Sequence, residues 1–117
     1  MTNSRRKGKR GELEAAEALK TLGIKARRAV QYCGRGCTAD LITDWPIHFE
    51  VKRQERLNPY EAIEQAANDS NGNVPAVLWR RNRRDWLLIL RLDDIPRFVE
   101  VFVQQEGLTL ERPGAEG

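Results

Sequence analysis

Thiols, imidazoles and long apolar runs are scarce in this chain. Cys33 and Cys37 are the only cysteines and His48 the only histidine. A four-ligand zinc site within one chain needs more such ligands than these, although Cys33-Gly-Arg-Gly-Cys37 loosely echoes a metal knuckle. A structural disulfide is not expected in a reducing compartment, so the pair reads as two small thiols flanking a glycine loop. No apolar run approaches the length of a membrane span, and the opening residues lack a hydrophobic signal region. The expected setting is therefore the cytoplasm, with no membrane partner. Internal repeats are absent as well.

What is present suits a globular domain. Hydrophobic residues make up 40% of the chain and charged ones 32%, a balance that supports a folded core rather than disorder. At 117 residues there is material for one core but not two, so residues 1–117 read as a single domain. Its charge is uneven. Met1 to Arg28 holds nine Lys/Arg against three Glu, or +6; the whole chain is +3, so the remainder carries −3. A positive end on a nearly balanced body is an electrostatic footprint for phosphate backbones. The plainer alternative is a solvated basic tail.

Periodicity sets the elements. Residues 1–10 form a basic arm, flexible until it meets a partner. Leu13, Ala16, Leu19 and Leu22 recur at helical spacing, which predicts a helix over Gly11–Leu22 ended by Gly23. Ile24–Tyr32 is a candidate strand, Gly34–Gly36 a loop, and 38–43 and 47–54 the strands of a hairpin. Asn58-Pro59 opens a helix that Asn71-Gly72-Asn73 breaks. Ala76–Arg81 and Trp86–Leu92 are strands about an Asn82-Arg83-Arg84 turn. Asp93 or Asp94 caps a last helix, with Ile95, Phe98, Val99 and Phe102 on one face. Residues 108–117 form a polar tail. The order is α-β-β-β-α-β-β-α, for which layer rules imply an α/β domain: a central mixed five-stranded sheet flanked by helices.

The chemistry concentrates in Asp40, Glu50 and Lys52. Along Phe49-Glu-Val-Lys52 polarity alternates, so on a strand Glu50 and Lys52 share one face and Phe49 and Val51 the other. A hairpin loop centred on Trp45 sets Asp40 opposite Glu50. Two carboxylates that close repel unless a cation lies between them. A divalent metal answers this, and oxygen ligands suit magnesium, with manganese as a substitute. A lysine beside it orients a water or offsets charge on a phosphate. The ordinary alternative is an exposed i, i+2 Glu–Lys pair on an edge strand. The apolar company of the trio (Leu41, Ile42, Ile47, Phe49, Val51) argues for a place near a core instead.

These residues resemble the PD-(D/E)XK signature of the restriction-endonuclease-like nucleases, with Asp40 as first acid and Glu50-Val51-Lys52 as E-x-K. Ala39 stands where the motif often has proline. A narrower match runs over roughly residues 5–92. Arg6-Lys-Gly-Lys-Arg-Gly-Glu12, with a helix ending at Leu22-Gly23, resembles the amino-terminal motif of archaeal-type and phage Holliday junction resolvases. Val51-Lys-Arg-Gln-Glu-Arg-Leu-Asn-Pro-Tyr-Glu-Ala-Ile-Glu-Gln-Ala66 and Pro75-Ala-Val-Leu-Trp-Arg-Arg-Asn-Arg83 are similar to the phage members.

The resemblance implies a restriction-endonuclease-like fold and a Mg²⁺-dependent endodeoxyribonuclease. Such an enzyme resolves four-way DNA junctions in recombination and repair, leaving a 5′-phosphate and a 3′-hydroxyl. It implies a homodimer, no small-molecule cofactor and, for a phage protein, a place in the host cytoplasm. Its metal ligands would be Asp40, Glu50, the Val51 carbonyl and a helix-one acid, Glu12, with Glu14 and Glu17 as competitors. Lys52 completes the catalytic set. DNA contacts would come from Arg5, Arg6, Lys7, Lys9 and Arg10 of the arm, from Arg27, Arg28, Arg35 and Thr38 about the glycine loop, and from Arg53 and Gln65.

Each has a plainer rival. Glu12 would also favour a helix amino terminus, Gln65 an open surface, Thr38 a strand, and the arginines a solvated strand end. Arg80, Arg81, Arg83 and Arg84 lie between Trp79 and Trp86 and invite base stacking; a basic turn with both tryptophans in the core is the simpler expectation. Two other functions fit parts of the pattern: a nuclease of the same fold acting on nicked, flapped or damaged DNA, and a non-catalytic nucleic-acid-binding module.

Overall fold

A computed structural model describes the backbone of residues 2–29 and 40–105, with side chains from Gly8 onward in those stretches. Its order is α1 (Thr2–Thr21), β1 (Ala26–Arg28), β2 (Leu41–Thr43), β3 (Ile47–Arg53), α2 (Pro59–Asp69), β4 (Val74–Arg80), β5 (Leu87–Ile89), a 3-10 turn (Leu92–Asp94) and α3 (Ile95–Gln104). The chain is thus α/β with the expected sequence of elements. Among the described residues no helix is long and apolar enough to cross a membrane. Cys33, Arg35, Cys37, Thr38, the glycine loop and the 108–117 tail lie outside the described residues, as do the side chains of Arg5, Arg6 and Lys7.

The single five-stranded sheet is not what forms. β1 and β2 make an antiparallel pair, and β3, β4 and β5 a separate sheet, with β3 and β4 parallel and β4 and β5 antiparallel. The break between β2 and β3 has a local cause. After Thr43 the chain turns tightly, with the Ile47 N–H bonded to the Trp45 carbonyl at 2.7 Å. Where a ladder would continue, Asp40 N–H donates to the Phe49 carbonyl at 3.1 Å. The next donor, Val51 N–H, goes to the Asp40 carboxylate at 2.7 Å. A side chain replaces a strand carbonyl, and the two sheets meet through it.

Helices cover both faces of the larger sheet. On one face, Ala15, Ala16 and Leu19 of α1 pack with Ile47 and Phe49 of β3 and Val74, Ala76 and Leu78 of β4. On the other, Ala62, Ile63 and Ala66 of α2 pack on Val77, flanked by Leu57, Trp79 and Ile89. α3 adds Val101 to the first cluster, and Phe102 meets Trp45 edge to face at 4.5 Å between centroids. β3 therefore has buried residues on both faces, as a strand between two helical layers must.

Local chemistry explains α2. Asn58 accepts from the N–H groups of Tyr60 and Glu61 at 3.0 and 3.2 Å, Pro59 opens the helix, and Asn71 and Gly72 adopt positive φ after it. These are the signals that cap and stop helices. At α3, Asp94 occupies the N-cap position without a capping bond; its carboxylate takes Arg91 Nε at 2.8 Å instead. α1 begins at Thr2, so residues 2–10 are helical rather than a flexible arm. Arginine and lysine propagate a helix well once it has started.

α1 crosses β3 closely at Gly11. A Cβ there would stand 2.7 Å from Arg53 Cβ and 3.9 Å from Val51 Cγ1. Only a residue without a side chain allows this approach, and it brings the next residue, Glu12, to the carboxyl end of β3.

Candidate active site

Asp40 lies just before β2, its backbone and carboxylate bonded to the residues on either side of Glu50. Burial pushes its carboxyl up from 3.8 to about 6. The Val51 N–H opposes that rise, the carboxylates of Glu50 and Glu12 add to it, and the Lys52 ammonium pulls back. Glu12 from α1 and Glu50 and Lys52 from β3 therefore all act on Asp40 beside β2.

Every member also has a second partner. Glu50 is only 4% exposed, and its Oε2 lies 2.8 Å from His48 Nε2. These two residues stand two apart on β3, and so on the same face. Lys52 Nζ reaches Gln65 Oε1 on α2 at 3.4 Å, which brings that glutamine to the cluster. Glu12 accepts from Arg28 Nε at 2.8 Å, joining α1 to β1. The competing acids of helix one point elsewhere. Glu14 is shared by Arg53 at 3.0 Å and Arg80 at 3.1 Å, and Glu17 pairs with Lys20 on the open surface.

The expected phosphate contacts divide in the same way. Lys9, Arg10 and Arg27 are exposed, whereas Arg28 and Arg53 are half-buried and ion-paired. Two partnerships escape sequence reasoning. His48–Glu50 was signalled by i, i+2 alternation within β3; Arg28–Glu12 had no local signal.

The donors suit a hard cation. Asp40, Glu50, Glu12 and the Val51 carbonyl offer oxygen alone, the ligand type magnesium takes. Among the described residues, no group of three or more His, Cys, Asp or Glu side chains stands gathered as a metal cage. Arg28 engages only one Glu12 oxygen, Oε1. No family model, curated protein or solved structure matches this chain.

Proposed function

We propose that the chain is a Mg²⁺-dependent endodeoxyribonuclease of restriction-endonuclease-like architecture that cuts four-way DNA junctions. The observation that carries the reading is geometric: the Asp40 carboxylate is held at 2.7 Å by the Val51 N–H, between Glu50 and Lys52 on β3. Acids held together against their repulsion beside an ammonium group are the arrangement metal-assisted phosphodiester hydrolysis needs. Asp40, Glu50 and Glu12, with the Val51 carbonyl, would hold the ion. The chemistry such an ion supplies is Lewis acidity toward a phosphate oxygen and acidification of an attacking water.

The chain's own residues do the rest. Asp40 is fixed through one oxygen by the Val51 N–H, which leaves the other to ligate. His48 holds one Glu50 oxygen and leaves the other to ligate. Gln65 steadies Lys52, whose ammonium orients the water or offsets charge growing on the phosphate. Arg28 holds one Glu12 oxygen, and the other would be left to ligate the ion. The symmetry of a four-way junction calls for two such sites, which a two-fold homodimer supplies.

Asp40→Asn and Lys52→Ala should each lower cleavage of a synthetic four-way junction in Mg²⁺ by at least about a hundredfold, while junction binding in Ca²⁺ persists. Wild-type cutting rates in either variant would remove the assignment. A second reading, a nucleic-acid-binding module without catalysis, is favoured by the pairing of Glu12 with Arg28 and Glu50 with His48. Calorimetric titration with Mg²⁺ or Ca²⁺ separates the two, since such a module binds neither ion at this cluster.

A further inference from the structure

The turn between β4 and β5 is built in an unusual way. Arg84 N–H bonds to the Arg81 carbonyl at 3.3 Å, which places Asn82 and Arg83 at its centre. Arg83 has φ of 59°, the left-handed region that glycine enters freely and a residue with a Cβ does not. Three contacts hold the turn: Arg80 Nε to the Arg84 carbonyl at 2.6 Å, Asn82 N–H to Glu55 Oε2 at 2.7 Å, and the Arg81 guanidinium 5.2 Å over the Trp79 ring. Trp79 is partly buried against the Ala62–Ile63–Ala66–Val77 cluster, near the core as the sequence suggests. It donates Nε1–H to the Gln54 carbonyl at 2.8 Å and carries an arginine. Trp86 packs against the main core.

Arg81, Arg83 and Arg84 are exposed, and among the described residues none of the three forms an ion pair with a carboxylate. Arg83 borders an open cavity of about 640 Å³ whose floor is Glu14, Arg53 and Arg80. The local acids are Glu14, shared by two arginines, Glu55, which faces Asn82, and Asp85. Five arginines exceed these three acids. The turn also lies near the acid cluster. Lys52 is in register with Trp79 and Arg53 with Arg80, so strand spacings put Arg81 about 8 Å from Lys52. That span is about two to three base pairs of duplex.

We propose that the Arg81–Arg84 turn is a second phosphate grip, which holds a duplex arm of the DNA substrate beside the Asp40–Glu50–Lys52 cluster. This rests on the nuclease reading for the identity of its ligand. Charge complementarity selects the phosphodiester backbone, and retaining arginine at a position suited to glycine selects the side chain of Arg83.

The test uses the full chain with labelled four-way junction, linear DNA duplex and RNA duplex, in Ca²⁺, with anisotropy read across a salt series. Arg83→Gly should keep or raise the melting temperature, weaken DNA binding several-fold and reduce the slope of log K against log salt by about 1. Arg81→Gln with Arg84→Gln should reduce it by about 2. Unchanged affinity and slope in both variants would overturn the grip, as would a loss confined to the RNA duplex. Failure of the nuclease reading shows separately, as absence of Mg²⁺-dependent junction cleavage by the wild-type chain.

Discussion

Asp40 joins structure and chemistry in one side chain. Its carboxylate stands in for a strand carbonyl at Val51 while two other acids press on it, so the folded chain holds its proton more tightly than the unfolded chain does. Between pH 3.8 and about 6 the native state binds more protons, and stability therefore falls as pH rises through that window. The shift corresponds to about 1–3 kcal/mol, allowing for partial exposure. Asn keeps an acceptor for Val51 and removes the charge. Asp40→Asn should thus be more stable than wild type at pH 7.5 and lose the pH slope between 4 and 6 in metal-free buffer. Chemical denaturation across pH measures both; equal slopes in the two proteins would contradict this account of Asp40.

At the scale of elements, the crossing of α1 over β3 selects the acid that meets Asp40. Gly8 and Gly11 lie on the same helix with opposite surroundings: a Cβ on Gly8 meets nothing within 4 Å, and one on Gly11 meets Arg53 at 2.7 Å. Gly8→Ala should stabilise by about 1 kcal/mol through helix propensity. Gly11→Ala has the same helical gain against an overpacking cost of about 1–3 kcal/mol, so its net effect is a loss. It should also push Glu12 away from Asp40 and impair cleavage. A pair of melting curves decides this, since the two substitutions must move the midpoint in opposite directions. The hairpin belongs to this scale as well. Alternation correctly put Glu50 and Lys52 on one face, but three-residue β2 and the carboxylate at Val51 divide what was expected to be one sheet.

At the scale of the whole molecule, apolar side chains stand exposed on β5 and α3 among the described residues. Leu87 and Leu88 on the edge strand β5 are 53% and 45% exposed, and Val99 and Val103 on α3 are 41% and 52% exposed. Phe98 and Phe102 of the same helix pack against the main core. An open edge strand with leucines outward invites pairing. Equilibrium sedimentation at micromolar concentration should give twice 13.4 kDa. A monomer there would exclude paired cutting of a junction by a preformed dimer.

Much of this could be read locally. The order of elements, the Asn58 cap of α2 and the shared face of Glu50 and Lys52 all follow from propensity and period, which act within a few residues along the chain. Tertiary contacts made the remaining choices. Sequence favours Glu12 but leaves Glu14 and Glu17 in competition, and the close crossing at Gly11 sends the first toward Asp40 and the second to Arg53 and Arg80. The division of the sheet, the Arg28–Glu12 pair and the Trp79–Gln54 bond likewise depend on groups far apart in sequence meeting in space, and no local pattern encodes which of several similar side chains will arrive.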